Sequence, residues 1–260
     1  MSIPMFEFLV VETHSYCNRR CRTCIRQNDP AKSRFKNGEP IRKFMDSDTV
    51  YSILDQAACN IGFRGDVCLW YFNEPLIDHR IPEFAKYAKN MGFKVQVTTN
   101  GDYLTRELAE KLDGVLDQLF VSVYNRKTLE SKRAQYQRLF RKTKVTCAGL
   151  HVITHFSPHT GLANLIEAHK NRPCPSALRH FIIDYKGEMM MCCEDLSGNF
   201  KLGNVHDTPL EELWFGQKHS KIVSDLQKPN GRLAYPYCAT CPIYITVRKP
   251  RVEVQHSTTP

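Results

Sequence analysis

Apolar and polar positions along this chain switch repeatedly between a period of two and a period near 3.6. Residues 6–13 form a short, mostly apolar run that predicts a first strand. Residues 46–59 carry Val50, Ile53, Leu54 and Ala57 at helical spacing, with Asp46, Ser47 or Asp48 available as N-cap. Residues 67–72 predict a buried strand, 82–91 a helix, and 94–99 a strand that ends at the turn pair Asn100-Gly101. Residues 103–112 read as helix and 119–124 as strand. Residues 126–142 read as a basic amphipathic helix with Leu129, Tyr136, Leu139 and Phe140 inward, and 145–154 as one more strand. Five strands separated by helices predict parallel β/α units, in a barrel-like or open α/β sheet. Chemistry in such sheets lies at the carboxyl ends of the strands.

The pattern breaks near residue 155. A loop with His155 and His159 is followed by a short helix over 162–169 and a Pro/Cys boundary at 171–175. Residues 178–185 and 188–192, joined at Lys186-Gly187, predict a β-hairpin, and 209–226 predict one helix. The expected division is a β/α domain over 1–160 and a small Cys-rich module over 161–260. A unit that small needs a metal staple.

Composition narrows this picture. At 260 residues, with 42% hydrophobic and 24% charged positions, the chain is neither disordered nor collagen-like. Its apolar runs are far too short to span a bilayer. Residues 1–11 lack the basic segment and cleavage site of a secretory signal. A soluble, cytoplasmic protein without a membrane partner is expected.

Charge and cysteine content add chemistry. Thirty-six basic against 27 acidic residues leave +9, and the excess is concentrated. Residues 17–43 and 126–144 each carry a net +7. Such segments attract anions, whether a phosphorylated metabolite, a cofactor carboxylate or nucleic acid, or they form a solvated helix face. Eleven cysteines, an odd number, point to metal ligation or unpaired thiols rather than a disulfide framework.

Cys17, Cys21 and Cys24 fall in the loop after the first strand. Three thiolates so spaced can hold three corners of an iron–sulfur cube and leave the fourth iron open. Zinc is the alternative, with His14 as the nearby fourth ligand. A second constellation comprises Cys174, Cys192, Cys238 and Cys241, with Gly187 five residues before Cys192. It suits a fully ligated [4Fe–4S] cluster or zinc. Cys59, Cys68 and Cys147 lie in or beside apolar runs and read as packing residues.

The C-x3-C-x2-C loop resembles the radical S-adenosylmethionine (SAM) superfamily, and the resemblance implies a partial (β/α)6 barrel, a [4Fe–4S] cluster and SAM. Tyr71-Phe-Asn-Glu-Pro75 is similar to that family's G-G-E-P element, with Phe72 and Asn73 replacing the glycines; the resemblance gives Glu74 the SAM ammonium. Thr99, Asn100 and Ser122 sit where the family places ribose and adenine contacts. Thr23 departs from the aromatic residue often found before the third cysteine. The second constellation, with Gly203-Asn204-Val205 and Leu210-x2-Leu213-Trp214, resembles the SPASM-type Twitch module and its auxiliary [4Fe–4S] cluster. Over residues 6–245 the chain looks most like Twitch-type dehydrogenases that oxidise an aminocyclitol, 2-deoxy-scyllo-inosamine. That resemblance implies hydrogen-atom abstraction from an anionic or polyhydroxylated small molecule, with the auxiliary cluster as electron acceptor and a flavodoxin- or ferredoxin-type electron donor. Where such an enzyme has an Arg-Gly-Gly turn, this chain has residues 157–161. His155 or His159 would then serve as the base. Other readings stay open: a radical SAM isomerase or epimerase, an enzyme modifying a nucleotide or peptide, or a non-catalytic metal-dependent nucleic-acid-binding protein.

Overall fold

A computed structural model describes residues 3–21, 24–28, 31–149, 172–174, 176–239 and 241. The elements run β1 (Phe8–Val11), α1 (Ile25–Asn28), β2 (Phe35–Lys36), β3 (Glu39–Pro40), α2 (Ser47–Asp55), β4 (Asp66–Cys68), α3 (Ile81–Asn90), β5 (Lys94–Thr99) and α4 (Arg106–Leu112). There follow β6 (Gln118–Val123), α5 (Leu129–Leu139), β7 (Lys144–Gly149), α6 (Ser176–Arg179), β8 (His180–Ile183), β9 (Met189–Met190), α7 (Leu210–Phe215), α8 (Gln217–Leu226) and α9 (Pro236–Ala239).

The five strands expected from the periodicity pair in parallel as β7-β6-β5-β4-β1. Their inward residues are fully apolar: Leu9, Val67, Val95, Val97, Leu119 and Val121 are at most 1% exposed. Each such side chain contributes about 1.5–3 kcal/mol of burial. With β1, β4, β5 and β6 aligned, their carboxyl ends lie along one rim, which is where the chemistry-bearing loops emerge.

The hairpin over 178–192 forms, shorter than expected, as β8 and β9, turning at Gly187 with φ +81°. It does not stand apart. β8 also runs parallel to β1, in register from Phe8↔His180 to Val11↔Ile183. A two-stranded ribbon alone is marginal in water, and Phe181, Ile182 and Ile183 are all buried, so the hairpin gains by extending the main sheet to seven strands. Trp214 of α7 reinforces the join. Its ring packs edge-on against Phe6 at 5.0 Å and beside Phe181 at 5.4 Å, and Nε1 donates to the Pro4 carbonyl at 2.9 Å.

Three boundaries differ from the periodicity for local reasons. The expected helix over 209–226 is two helices broken at Gly216, where ψ is 159° and an added Cβ would lie 2.1 Å from the Glu212 carbonyl oxygen. Helix α4 starts later than expected because Thr105 caps it, its hydroxyl accepting from the Leu108 amide at 3.2 Å. Helix α5 stops at Leu139 because the Asp113 carboxylate captures the amides of Arg141, Lys142 and Thr143. Tyr136 and Phe140 are buried as expected, with Leu129 and Leu139 packed against the core.

Candidate cluster and cofactor sites

At the carboxyl rim, Cys17, Cys21, Cys24, Asn73, Glu74, Thr99, Asn100 and Ser122 line one cavity of about 250 Å³. The barrel residues named for the first cluster and for SAM are therefore brought together, while His155 and His159 lie outside the described residues. Arg19, Arg26, Trp70, Tyr71 and Tyr124 join them.

The cysteine loop is tied down at both ends. Ser15 Oγ donates to the Ile41 carbonyl at 2.6 Å and accepts from the Lys43 amide at 2.9 Å, so the segment that follows β3 clamps its start. His14 is buried and hydrogen-bonded at both ring nitrogens. Nε2 donates to the Glu74 carbonyl at 3.0 Å, and Nδ1 accepts from the Tyr16 amide at 3.2 Å. Burial pulls its pKa down to about 4, so the ring is neutral. Both nitrogens being engaged, His14 does not offer the fourth ligand that a zinc reading requires.

Across the cavity mouth, Asn100 Nδ2 lies 3.9 Å from Cys17 Sγ and 2.8 Å from Asn18 Oδ1. Asn18 and Arg19 both bind Asp102, the guanidinium in a two-pronged contact at 2.7 and 2.5 Å. Arg19 also stacks over the Tyr124 ring at 4.1 Å, and the Tyr124 hydroxyl is hydrogen-bonded to Cys21. The loop from β1 is thereby strapped to the ends of β5 and β6.

Glu74 lines the same cavity, held by neighbours of its own. It is 2% exposed, and its carboxylate is already engaged: Oε1 accepts from Thr99 Oγ1 at 2.5 Å and the Leu76 amide at 3.2 Å, and Oε2 from the Asn100 amide at 2.7 Å. Burial raises its pKa against the pull of those donors. Glu74 thus joins the loop after β4 to the end of β5, and Thr99 and Asn100 act with it.

Beneath the loop lies a buried pair that the sequence reading missed. Arg34 Nη1 meets Glu12 Oε2 at 2.6 Å, with both side chains at most 1% exposed. Glu12 also accepts from the amides of Phe72 and Tyr185, linking the rim to β8. A glutamate within an apolar strand run was the available signal.

Around the second constellation, Cys174, Cys192, Cys193, Cys238 and Cys241 lie within electrostatic reach of one another. Cys174 is anchored through its amide to the Leu226 carbonyl at 3.0 Å, and Asp195, fully buried, donates its amide to the Cys192 carbonyl. Burial pushes the Cys192 thiol well up and Cys238 up to about 12. Thiols so placed stay protonated unless a cationic centre binds them. Tyr71 connects the two regions: its ring lines the first cavity while its hydroxyl donates to the Cys192 carbonyl at 3.1 Å.

The residues present fit the groups this donor set calls for. No disulfide joins any of the eleven cysteines. Among the described residues, no three His, Cys, Asp or Glu side chains gather around a point as a single ion would need, whereas a cube carries its thiolates on separate irons. Asn73 Nδ2 and Arg26 Nε and Nη2 are buried at the first cavity without partners, as a polar ligand there would require.

Comparison with known proteins agrees. The radical SAM superfamily matches residues 11–144. The chain belongs to it. Residues 174–242 match the SPASM iron–sulfur cluster-binding domain. This radical SAM enzyme therefore uses SAM and two [4Fe–4S] clusters. The chain is 25% identical over 242 residues, 91% of its length and 93% of the relative's, to the S-adenosyl-L-methionine-dependent 2-deoxy-scyllo-inosamine dehydrogenase of Niallia circulans. Its fold matches the crystal structure of BtrN in complex with AdoMet and 2-DOIA, with TM-score 0.74 and 20% identity over 93% of this chain and 94% of that one. It also matches native anSMEcpe with bound AdoMet, at TM-score 0.59 and 12% identity over 85% and 84%. No helix among the described residues is long and apolar enough to cross a membrane.

Proposed function

We propose that this enzyme is a dehydrogenase that removes a carbinol hydrogen from a small polyhydroxylated substrate of the aminocyclitol kind. The observation that carries this reading is Tyr71, whose ring faces the SAM cavity while its hydroxyl holds the backbone of the auxiliary cysteine Cys192. The similarity to the Niallia circulans dehydrogenase along nearly the whole of both chains supports it. When bound, the first cluster and SAM would supply a 5′-deoxyadenosyl radical for removal of one hydrogen atom, and the auxiliary cluster would serve as acceptor for the second electron.

The chain's own residues bind and orient. Cys17, Cys21 and Cys24 hold the first cluster, and Cys174, Cys192, Cys238 and Cys241 the second. Asn73 offers its unpartnered amide to SAM, and Ser122 and Asn100 border the same ligand. Glu74 acts chiefly by fixing Thr99 and Asn100. The hydroxyl proton goes to a base, for which the sequence offers His155 or His159.

Among the basic residues of 17–43, Arg26 and Arg34 are buried and Arg19 binds Asp102, while Arg20, Lys32, Lys36, Arg42 and Lys43 stay exposed, with Arg42 stacked on Tyr16 at 4.1 Å. A flavodoxin- or ferredoxin-type protein would deliver the electron. The test is anaerobic incubation of reconstituted enzyme with SAM, dithionite and 2-deoxy-scyllo-inosamine or related cyclitols. Formation of a ketone in step with 5′-deoxyadenosine supports a dehydrogenase. A product at the substrate's own oxidation level would instead establish an isomerase or epimerase.

A further inference from the structure

Among the charged side chains described at the first cavity, Arg19 has Asp102 and Glu74 has three donors. Arg26 pairs with no carboxylate among the described residues. It is 1% exposed, so water does not solvate it. Nη1 makes one long contact, 3.4 Å, with the Cys17 carbonyl, while Nε and Nη2 meet no acceptor. The rings of Phe35 and Tyr16 flank it at 5.5 and 5.8 Å. Placement follows from the chain: the Gln27 amide donates to the Cys24 carbonyl at 3.0 Å, so the turn that opens α1 brings Arg26 back under the cysteine loop.

A buried guanidinium without a counter-charge is strongly unfavourable, and no described carboxylate is free to serve as one here. The groups that act on it most strongly are Cys17, Cys24, Arg34 and Glu12. Glu12 is held by Arg34 at 2.6 Å. Beyond these described groups, the site would supply the negative charge of the thiolate-bound cluster itself.

We propose that Arg26 is the counter-ion of the cluster held by Cys17, Cys21 and Cys24, donating from Nε and Nη2 to its sulfur atoms. Hydrogen bonds to sulfur and local charge set the potentials of such clusters. When the cluster accepts one electron its negative charge grows, and the guanidinium stabilises the reduced form more than the oxidised one. Arg26 is thus a potential-setting residue. The inference rests on those three cysteines being the cluster's ligands.

The experiment is a redox titration of the full-length, two-cluster enzyme with dithionite and mediators, followed by electron paramagnetic resonance (EPR). The first cluster is recognised by the change of its signal on adding SAM, and the auxiliary cluster serves as internal reference. Arg26→Gln is expected to disfavour reduction of the SAM-responsive cluster at least tenfold, which is about 59 mV for one electron. Arg26→Lys keeps the charge and is expected to lose less than half of that, with the auxiliary potential unchanged in both. Should Arg26→Gln fail to load iron, the wild-type enzyme decides. Labelled with 15N in its arginine guanidinium groups, it is expected to show a weak 15N coupling to the reduced cluster in pulsed EPR, and Arg26→Lys is expected to abolish it.

A loaded, SAM-responsive cluster with unchanged potential in Arg26→Gln overturns the proposal, as does absence of the coupling in wild type. Weakened SAM binding at unchanged potential would assign the guanidinium to the SAM carboxylate instead. If Cys17→Ala/Cys21→Ala/Cys24→Ala retains the SAM-responsive signal, it is the underlying ligand assignment that fails.

Discussion

Replacing Glu74 with glutamine tests whether this residue fixes the rim or merely awaits a ligand. The carboxylate accepts from Thr99 Oγ1, the Leu76 amide and the Asn100 amide. A glutamine has one acceptor end. If its oxygen keeps Thr99 and Leu76, its NH2 faces the Asn100 N–H, donor against donor. If it flips, the Thr99 hydroxyl can turn to accept, but the Leu76 amide is stranded. Either way one buried N–H is orphaned, which costs about 1–3 kcal/mol. Glu74→Ala orphans all three donors and leaves a cavity, for a loss of about 3 kcal/mol or more. For a chain of this length, each kcal/mol lowers the melting temperature by roughly 2–4 °C. The assay is thermal unfolding of the reconstituted enzyme, with SAM binding measured on the same samples. Glu74→Gln is expected to melt several degrees lower and to bind SAM more weakly. An unchanged melting temperature alongside lost SAM binding would refute the structural argument and restore Glu74 as a dedicated ligand residue.

Two buried groups should give the enzyme opposing pH responses. Burial lifts Asp184 to about 6, so neutral Asp184 stabilises the fold at low pH, and that contribution disappears as pH rises through about 6. Burial drops His14 to about 4, so its contribution is complete above about 6.5 and is lost as pH falls toward 4. Asp184→Asn should raise stability at pH 7 by up to about 3 kcal/mol. It should also steepen the decline on acidification, read as urea midpoints between about pH 7 and 5.5; a parallel shift without a change in slope would contradict the Asp184 assignment. Gly216→Ala drives a Cβ against the Glu212 carbonyl and should cost about 3 kcal/mol in thermal unfolding. A variant as stable as wild type would show that the junction of α7 and α8 yields freely. Asp102→Ala releases Arg19 and Asn18 from a partly exposed strap. Stability should fall by only about 1 kcal/mol, while iron is lost to a chelator several-fold faster; equal chelation rates would mean that the strap does not hold the cysteine loop.

The alternation of strand and helix, and the cysteine spacing, were readable because each is a local property of the chain. β5 coincides with the expected 94–99 because its alternation ends at Asn100-Gly101, a turn that Tyr136 packs against. Other features depend on partners distant in sequence. The match of β8 to β1 follows from burial on both faces of a short apolar segment, and the segment alone does not say which strand it joins. The break at Gly216 was visible as a glycine in a helical pattern, yet its necessity comes from the closeness of the Glu212 carbonyl. Cys17, Cys21, Cys24, Asn73, Glu74, Thr99, Asn100 and Ser122 do share one cavity. The motif put Glu74 there but not its three internal donors, because hydrogen-bond saturation is a tertiary property. Arg26 and Arg34 counted only toward net charge until their burial was known.

Iron and acid-labile sulfide per chain after anaerobic reconstitution test the central claim most directly, comparing wild type with Cys17→Ala/Cys21→Ala/Cys24→Ala. Two separate [4Fe–4S] sites predict about eight irons in wild type and about four in the variant, with SAM-derived 5′-deoxyadenosine formed only by wild type. About four irons in both proteins, with no cleavage of SAM by either, would contradict it.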